Sequence, residues 1–344
     1  MKRLMKKAAI LLLPFVGISL TSCVNEWPDI EGRLWDVSLR ISCVTDWIPD
    51  YEMTYTRTDN PEIEYLIRVY PKGTTEIAVS EFTYHSNDFR RSPFSVDFKL
   101  PEGEYDIYIW SDIADRTNGE SLFYDSENFG AITFRTPYQG DSNLKDAFRG
   151  MTSIVIEKSS ELLPAVEQEI ILRRPLGRFY FVATDVEDYI SQETIRNKMR
   201  NIETAKGFSA SPPTRDEVLQ ELFSAYSVKV TYPLYLAAVF DNFTNNPIDS
   251  WTNVSFTGGI TMMGTDKAEV GLDYAMVVGD ESALQAQLEI MDDTGNVISR
   301  TSIIKIPLER DRTTIVYGRF LTTLESGGVG INPDFQGEYN IEIK

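Results

Sequence analysis

The run Val37-Ser38-Leu39-Arg40-Ile41-Ser42-Cys43 alternates between apolar and polar side chains. Successive side chains of a β-strand point to opposite faces, so this alternation predicts a strand with one face buried and the other in water. Similar short runs recur along the chain, separated by turn residues such as Pro71-Lys72-Gly73 and Pro101-Glu102-Gly103. The pattern predicts an all-β fold.

The predicted strands are short and closely spaced, which favours β-sandwiches over alternating β and α units. They cover 34–43, 64–70, 77–84, 94–100, 104–110, 131–134, 152–157, 167–172, 178–184, 227–231, 234–240, 254–256, 270–278, 284–291, 297–306, 313–321 and 339–343. A chain of 344 residues is too long for one ordinary core, so we expect two sandwiches in tandem. Their expected bounds are 34–164 and 165–344, after a tether at 23–33.

A small helical insertion interrupts the second half. Ile195, Met199 and Ile202 fall on one face of a predicted helix. Thr214-Arg215-Asp216-Glu217 has the spacing of a capping box and precedes apolar residues at helical spacing. We therefore expect helices only within the C-terminal sandwich.

The first 22 residues have the pattern of a secretory signal peptide. A basic start is followed by an apolar run from Ala8 that ends at Leu20-Thr21-Ser22-Cys23. The run is shorter than the roughly 20 apolar residues that a spanning helix needs. Its end resembles the bacterial lipobox, which implies cleavage between Ser22 and Cys23 and acylation of Cys23. We therefore expect the mature protein to be an outer-membrane lipoprotein anchored through Cys23; the alternative is an ordinary secretory signal that carries a cysteine near its end.

The composition restricts the class of partner. The formal net charge is −19, and the signal segment contributes only positive charges, so the mature chain is more acidic still. Such a chain is repelled by nucleic acid and by anionic lipid, so we expect no nucleic-acid partner and membrane attachment through lipid alone. Cys43 is the other cysteine; its place in an alternating run predicts a small buried side chain rather than a reactive thiol.

The residues offer little catalytic chemistry. His85 is the one histidine, and we expect it at the surface, since no second histidine supports a zinc site and no Gly-x-Ser-x-Gly elbow is present. The abundant carboxylates give no specific pairing. Asp292-Asp293-Thr294-Gly295-Asn296 lacks the spacing of a calcium loop and predicts a hairpin turn. We expect no enzymatic activity, no cofactor and no metal site.

The aromatic stretch Tyr105-Asp106-Ile107-Tyr108-Ile109-Trp110 has two interpretations. Exposed aromatic side chains on a sheet would stack on sugar rings, as in a glycan-binding surface. Alternatively, the aromatic side chains fill the core, where they bury a large area. Because both faces of the stretch carry apolar residues, a central strand covered on both sides is the favoured interpretation.

Three parts of the sequence resemble the fimbrillin-like lipoproteins of the Bacteroidetes. They are the end-of-domain run 306–322, the run 172–185, and the run Tyr105–Asp112 with 122–125 and 146–150 downstream. Asp311 stands where an asparagine is usual in the first of these, and Gly177 where an alanine is usual in the second. With 331–340 at the C-terminus, the resemblance covers most of the mature chain and indicates an uncharacterised subgroup of that family.

The resemblance implies two transthyretin-like sandwiches and, in members that polymerise, exchange of strands between subunits. In those members a protease cuts after an arginine in the first domain, and the loss of the leading strand opens a groove for another subunit. Arg33, Arg40 and Arg57 lie in the corresponding region, and no motif selects one of them.

The sequence thus leads to one favoured function and two alternatives. The favoured one is a structural or adhesive subunit of a surface fimbria, its partners being the outer membrane and other subunits. The first alternative is a lipoprotein that does not polymerise and binds glycan or a host ligand through exposed aromatic residues such as Trp110 or Trp251. The second is a hydrolase with an unrecognised carboxylate pair.

Overall fold

The computed structural model describes residues 34–44, 61–87, 93–157, 165–206, 212–322, 329–332 and 338–343. These residues are mostly in β-strands, which confirms the all-β prediction. The first half contains β1 (Trp35–Cys43), β2 (Pro61–Pro71), β3 (Ser80–Ser86), β4 (Phe94–Leu100), β5 (Gly103–Asp115), β6 (Glu120–Ser121), β7 (Tyr124–Asp125), β8 (Ile132–Phe134), β9 (Phe148–Ile156) and β10 (Val166–Leu172).

The second half begins with a strand and then contains all the described α-helices. Its elements are β11 (Leu176–Ala183), α1 (Val186–Ile190), α2 (Glu193–Lys206), α3 (Arg215–Ser224), β12 (Ser227–Asp241), β13 (Asn246–Gly258), β14 (Thr261–Met262), β15 (Ala268–Met276), β16 (Glu281–Met291), β17 (Val297–Arg300), β18 (Ile304–Glu309), β19 (Thr313–Gly318), β20 (Val329–Asn332) and β21 (Glu338–Ile343). None of the described helices is long and apolar enough to cross a membrane.

The first sandwich packs two sheets face to face. One sheet has the strand order β10-β1-β4, and the other has β3-β2-β5 with β9 on the free side of β5. Alternate residues of these strands meet in one core, which includes Leu39, Ile67, Ile109 and Leu172. The burial pattern of β1 alternates along its whole length, as the sequence predicts.

The second sandwich is larger. One sheet runs β14-β15-β11-β19-β21-β20, and the other is built on β12, which pairs with both β13 and β16. In each sandwich the leading strand pairs in parallel with a strand from the end of its domain, β1 with β10 and β11 with β19. The helices pack at the side of this core through Ile195, Leu219 and Phe223.

A connector, residues 116–147, leaves the first sandwich after β5 and returns at β9. Its strand β8 pairs with β12 of the second sandwich, Ile132 opposite Phe240. Trp110 of β5 and Phe134 of the connector therefore belong to the same core as the second sandwich. The two halves of the chain share one continuous apolar interior at this junction.

The strand prediction needs local corrections. Two predicted strands, 227–231 and 234–240, are one strand, β12, whose pairing with β13 shifts next to Pro233, a residue without an N–H group to donate. The predicted strand 297–306 is divided into β17 and β18, which pair with different parts of β16. The boundary placed after Pro164 stays a prediction; β10, which follows it, pairs with β1 and packs in the first core.

Candidate functional site

Strand β1 is the only described link between its two neighbours. It pairs with β4 in antiparallel register from Trp35 opposite Leu100, and with β10 in parallel register from Val37 opposite Val166. Among the described residues, neither β4 nor β10 pairs with any other named strand. Removing β1 would leave a strand-wide groove with unpaired backbone groups on both sides.

The inner face of β1 is fully buried. Val37, Leu39 and Ile41 have at most 1% of their surface exposed, and each belongs to the first core. Burying a side chain of this size stabilises a fold by about 1.5–3 kcal/mol. Cys43, on the same face, is buried, as predicted.

The outer face of β1 is polar and pairs with β4. Ser38 donates a 2.6 Å hydrogen bond to Asp97, and Lys99 donates one of 2.5 Å to Asp36. Arg40 lies on this exposed face, and its backbone is paired on both sides. Ser22, Cys23, Arg33 and Arg57 lie outside the described residues, so the expected lipidation and cleavage positions stay predictions.

The two sandwiches are joined by an ion pair from two of the segments that resemble fimbrillins. Arg174, just after β10, donates from Nε and Nη2 to the two oxygens of Asp146, each at 2.6 Å. Asp146 is fully buried. The backbone N–H of Arg174 also donates to Asp311, in the end-of-domain run. We call these contacts between the sandwiches the joint. A bidentate pair of this kind fixes orientation as well as distance.

Arg149 forms the second half of the joint. It donates to the side-chain oxygen of Asn242 at 3.1 Å and to the backbone oxygen of the same residue at 2.9 Å. Asn242 is fully buried at the end of β12, and its N–H donates to Phe129 of the connector. Backbone hydrogen bonds between Arg149 and Arg173 complete the contact.

A second buried ion pair fixes the connector to β15. Lys145 Nζ lies 2.7 Å from Asp273 Oδ1, and both side chains have at most 1% of their surface exposed. Asp273 Oδ2 accepts hydrogen bonds of 2.6 Å from the hydroxyls of Tyr138 and Tyr232. Burial lowers the pKa of Lys145, and the adjacent carboxylate of Asp273 opposes that change.

The other residues singled out from the sequence have structural surroundings. Trp110 is fully buried, and its indole N–H donates to Asp112 at 2.8 Å, so the core interpretation of the aromatic stretch is confirmed. His85 lies on the exposed edge strand β3, with Nδ1 3.0 Å from Glu62. Residues 292–296 form the predicted hairpin turn, in which Asp292 accepts from the N–H groups of Thr294 and Asn296.

A cleft of about 640 Å³ lies between the sandwiches. Its walls come from β2, the connector and β13, and they include Glu64, Leu66, Arg68, Tyr124, Arg135 and Trp251. Glu64 lies directly opposite Asp112 in the pairing of β2 with β5. Burial raises the pKa of Asp112 to about 8, and it also raises the pKa of Glu64.

The sequence alone did not identify two pairs of buried residues. One pair is Glu64 and Asp112, and the other is Lys145 and Asp273. Glu64 and Asp112 lie in apolar strand runs, where a carboxylate looks like an ordinary outward-facing residue, and only strand pairing brings the two together. Lys145 and Asp273 are far apart in sequence. In the described part of the chain, no group of three or more His, Cys, Asp or Glu side chains is arranged to hold a metal ion.

Three solved structures with a similar overall arrangement are fimbrial proteins. A fimbrial assembly protein from Parabacteroides distasonis is 10% identical, with 91% of this chain and 100% of that chain covered and a TM-score of 0.42. The tip fimbrial protein Mfa3 from Porphyromonas gingivalis is 12% identical, with 90% and 98% covered and a TM-score of 0.41. The fimbrial anchor protein Mfa2 from the same species is 9% identical, with 77% and 81% covered and a TM-score of 0.40.

No curated protein matches the sequence. One family model matches residues 34–344, which is nearly all of the chain after the expected signal peptide and tether. The chain therefore belongs to DUF6562, a family of unknown function.

Proposed function

We propose that this chain is a subunit of a surface fimbria, anchored by a lipid on Cys23 and joined to other subunits by strand exchange. The observation that carries the proposal is the position of β1. It fills the space between β4 and β10, which are not otherwise paired in the described residues, and it supplies one side of the first core. The segments that resemble fimbrillins support the same function.

A strand from another subunit would have to match β1 closely. It would need apolar side chains at alternate positions to replace Val37, Leu39 and Ile41, and backbone groups to pair with both neighbours. Edge pairing supplies the affinity in this mode of recognition, and the side-chain pockets supply the register. Each replaced apolar side chain would contribute about 1.5–3 kcal/mol, so the contact between subunits should resist detergent until it is heated.

The test is a blot of outer-membrane fractions from the native organism, with and without boiling. A ladder that collapses on boiling to a species shortened at its N-terminus is the result expected for a polymerising subunit. Full-length protein at the base of the ladder would assign the anchor position. A single monomer band in both samples would refute assembly by strand exchange.

A Cys23→Ala variant separates anchoring from assembly. Without the acylated cysteine, the protein should leave the membrane fraction, because the expected attachment is through acyl chains and not through basic surface patches. A Cys43→Ala variant is the matched control, since Cys43 is buried in the first core and should leave the protein in the membrane fraction. Retention of the Cys23→Ala protein in the membrane would contradict lipid anchoring.

A further inference from the structure

The cleft between the sandwiches contains a buried carboxylate to which the described residues offer no partner. Glu64 is 8% exposed and lines the cleft. Its side chain makes no hydrogen bond or ion pair within the described residues, although His85 and Arg135 are near enough to favour its charged form. A buried charge without a partner costs free energy, so a ligand that donates hydrogen bonds to it would be bound favourably.

The carboxylate opposite Glu64 is also incompletely satisfied. Asp112 is 1% exposed; one of its oxygens accepts from Trp110, and the other has no hydrogen-bond partner in the described part of the chain. The two acids occupy directly opposite positions on neighbouring strands, where side chains on one face of a sheet are close together. Asp112 is not among the residues that line the cleft, so Glu64 is the carboxylate of this pair that can accept hydrogen bonds from a ligand.

The remaining walls combine aromatic surface with hydrogen-bonding groups. Trp251, half-buried on β13, lies with its ring centroid 6.3 Å from that of Phe134. Arg135 reaches the cleft while donating to Glu120 and to the backbone of Tyr124. Hydroxyl groups complete the lining; they belong to Ser121, Ser126, Thr133 and Thr136.

We propose that this cleft, with Glu64 at its floor and Trp251 on its wall, binds a carbohydrate of one to three sugar units. A sugar presents apolar C–H faces to an aromatic ring and hydroxyls to carboxylates and guanidinium groups, which is the combination that the cleft offers. The volume of about 640 Å³ lies within the roughly 300–1,000 Å³ of small-molecule sites. The site needs both sandwiches, because Glu64 and Trp251 come from different ones.

This proposal goes beyond the proposed function by adding a ligand that the fimbrial subunit would bind, and it does not depend on strand exchange. The purified full chain would be titrated by calorimetry with maltotriose, cellotriose, mannotriose and N,N′,N″-triacetylchitotriose, each at millimolar concentration. We expect at least one of these to bind. Binding by none of them would refute the carbohydrate proposal, and a basic peptide that binds in their place would reassign the cleft to a cationic partner.

Two variants assign any binding to the cleft. Trp251→Ala and Glu64→Gln should each weaken binding by about tenfold or more, since each removes a contact worth at least that factor. Tyr235→Ala and Glu169→Gln are the matched controls, because both residues are exposed and lie outside the cleft. Unchanged affinity in both cleft variants, with native melting temperatures, would place the sugar elsewhere and overturn the proposal.

Failure of the carbohydrate proposal and failure of the proposed fimbrial function would give different experimental results. The titration measures sugar binding by the purified protein, whereas the blot measures assembly in the membrane, so either result can be obtained without the other. A ladder without sugar binding would leave the fimbrial function standing and remove the cleft from it.

Discussion

Replacement of Asp273 by alanine should destabilise the protein more than replacement of its partner Lys145 by methionine. Among the described residues, Asp273→Ala leaves the buried ammonium of Lys145 with one hydrogen-bond partner, the Tyr138 hydroxyl 2.6 Å away. An uncompensated buried charge of this kind costs about 3–5 kcal/mol. The same change removes the acceptor used by the hydroxyls of Tyr138 and Tyr232.

The reverse variant leaves a better satisfied charge. In Lys145→Met, Asp273 keeps the two tyrosine hydroxyls and the backbone N–H of Tyr274, which donates to it at 2.8 Å. The contacts of the Lys145 ammonium are lost, but the remaining carboxylate keeps three hydrogen-bond donors, so we expect a cost of roughly 1–3 kcal/mol. The ammonium of Lys145 lies 4.4 Å from the ring centroid of Phe134 and 3.9 Å from that of Tyr138, and methionine removes these cation–π contacts as well.

The assay is urea unfolding of the wild type, the two single variants and the double variant Lys145→Met/Asp273→Leu. Because a buried ion pair replaced by apolar side chains is often neutral, we expect the double variant within about 1 kcal/mol of the wild type, or above it. The order of stability is the decisive result. If Lys145→Met costs as much as Asp273→Ala, the tyrosine hydroxyls do not satisfy the carboxylate and the reasoning is wrong.

Three further changes test other parts of the structure. Burial raises the pKa of Asp112 from 3.8 to about 8. The stability that this carboxyl contributes is therefore fully present below pH 3.8 and is lost as the pH rises to about 8. Melting curves across this range should show that Asp112→Asn loses less stability than the wild type. Gly150→Ala should cost about 1–3 kcal/mol in urea unfolding, because the added Cβ would lie 2.5 Å from Leu172. Thr214→Ala should cost about 1 kcal/mol, because Thr214 and Glu217 form both hydrogen bonds of a capping box. Thr204→Ala is the control, because Thr204 is exposed and its hydroxyl donates to the backbone of Arg200 in the same helix.

Local patterns were sufficient to predict β1, β4 and the start of α3. Alternation identified β1 and β4 because each has one face in a core and one in water, and the box at Thr214 identified the start of α3 because capping depends on residues three apart. The aromatic stretch of β5 was predicted as a covered central strand, and Trp110 is fully buried.

The pairing between the halves could not be predicted in the same way. The connector looked like part of the first sandwich, but β8 pairs with β12, more than 100 residues later in the chain. The ion pair of Lys145 with Asp273 and the cross-strand neighbours Glu64 and Asp112 depend on such long-range pairing. No local property of a lysine or an aspartate distinguishes these residues from others in a chain so rich in acids.

The segments that resemble fimbrillins acquire a physical meaning from the joint. Residues 146–150, 172–185 and 306–322 contribute Asp146, Arg174 and Asp311 to one connected set of hydrogen bonds between the sandwiches. The sequence pattern therefore reports how two sandwiches are held in a fixed orientation, and not what either of them binds.

The location of the joint also bears on strand exchange. The buried residues of β1, β4 and β10 all belong to the first core. In contrast, β5 and the connector contribute residues to the core of the second sandwich. The sheet that contains β1 thus lies on the side of the first sandwich away from the cleft and the second core. A subunit that exchanged β1 would keep the hydrogen bonds between its sandwiches and its cleft, so assembly and ligand binding would occupy separate surfaces of the same subunit.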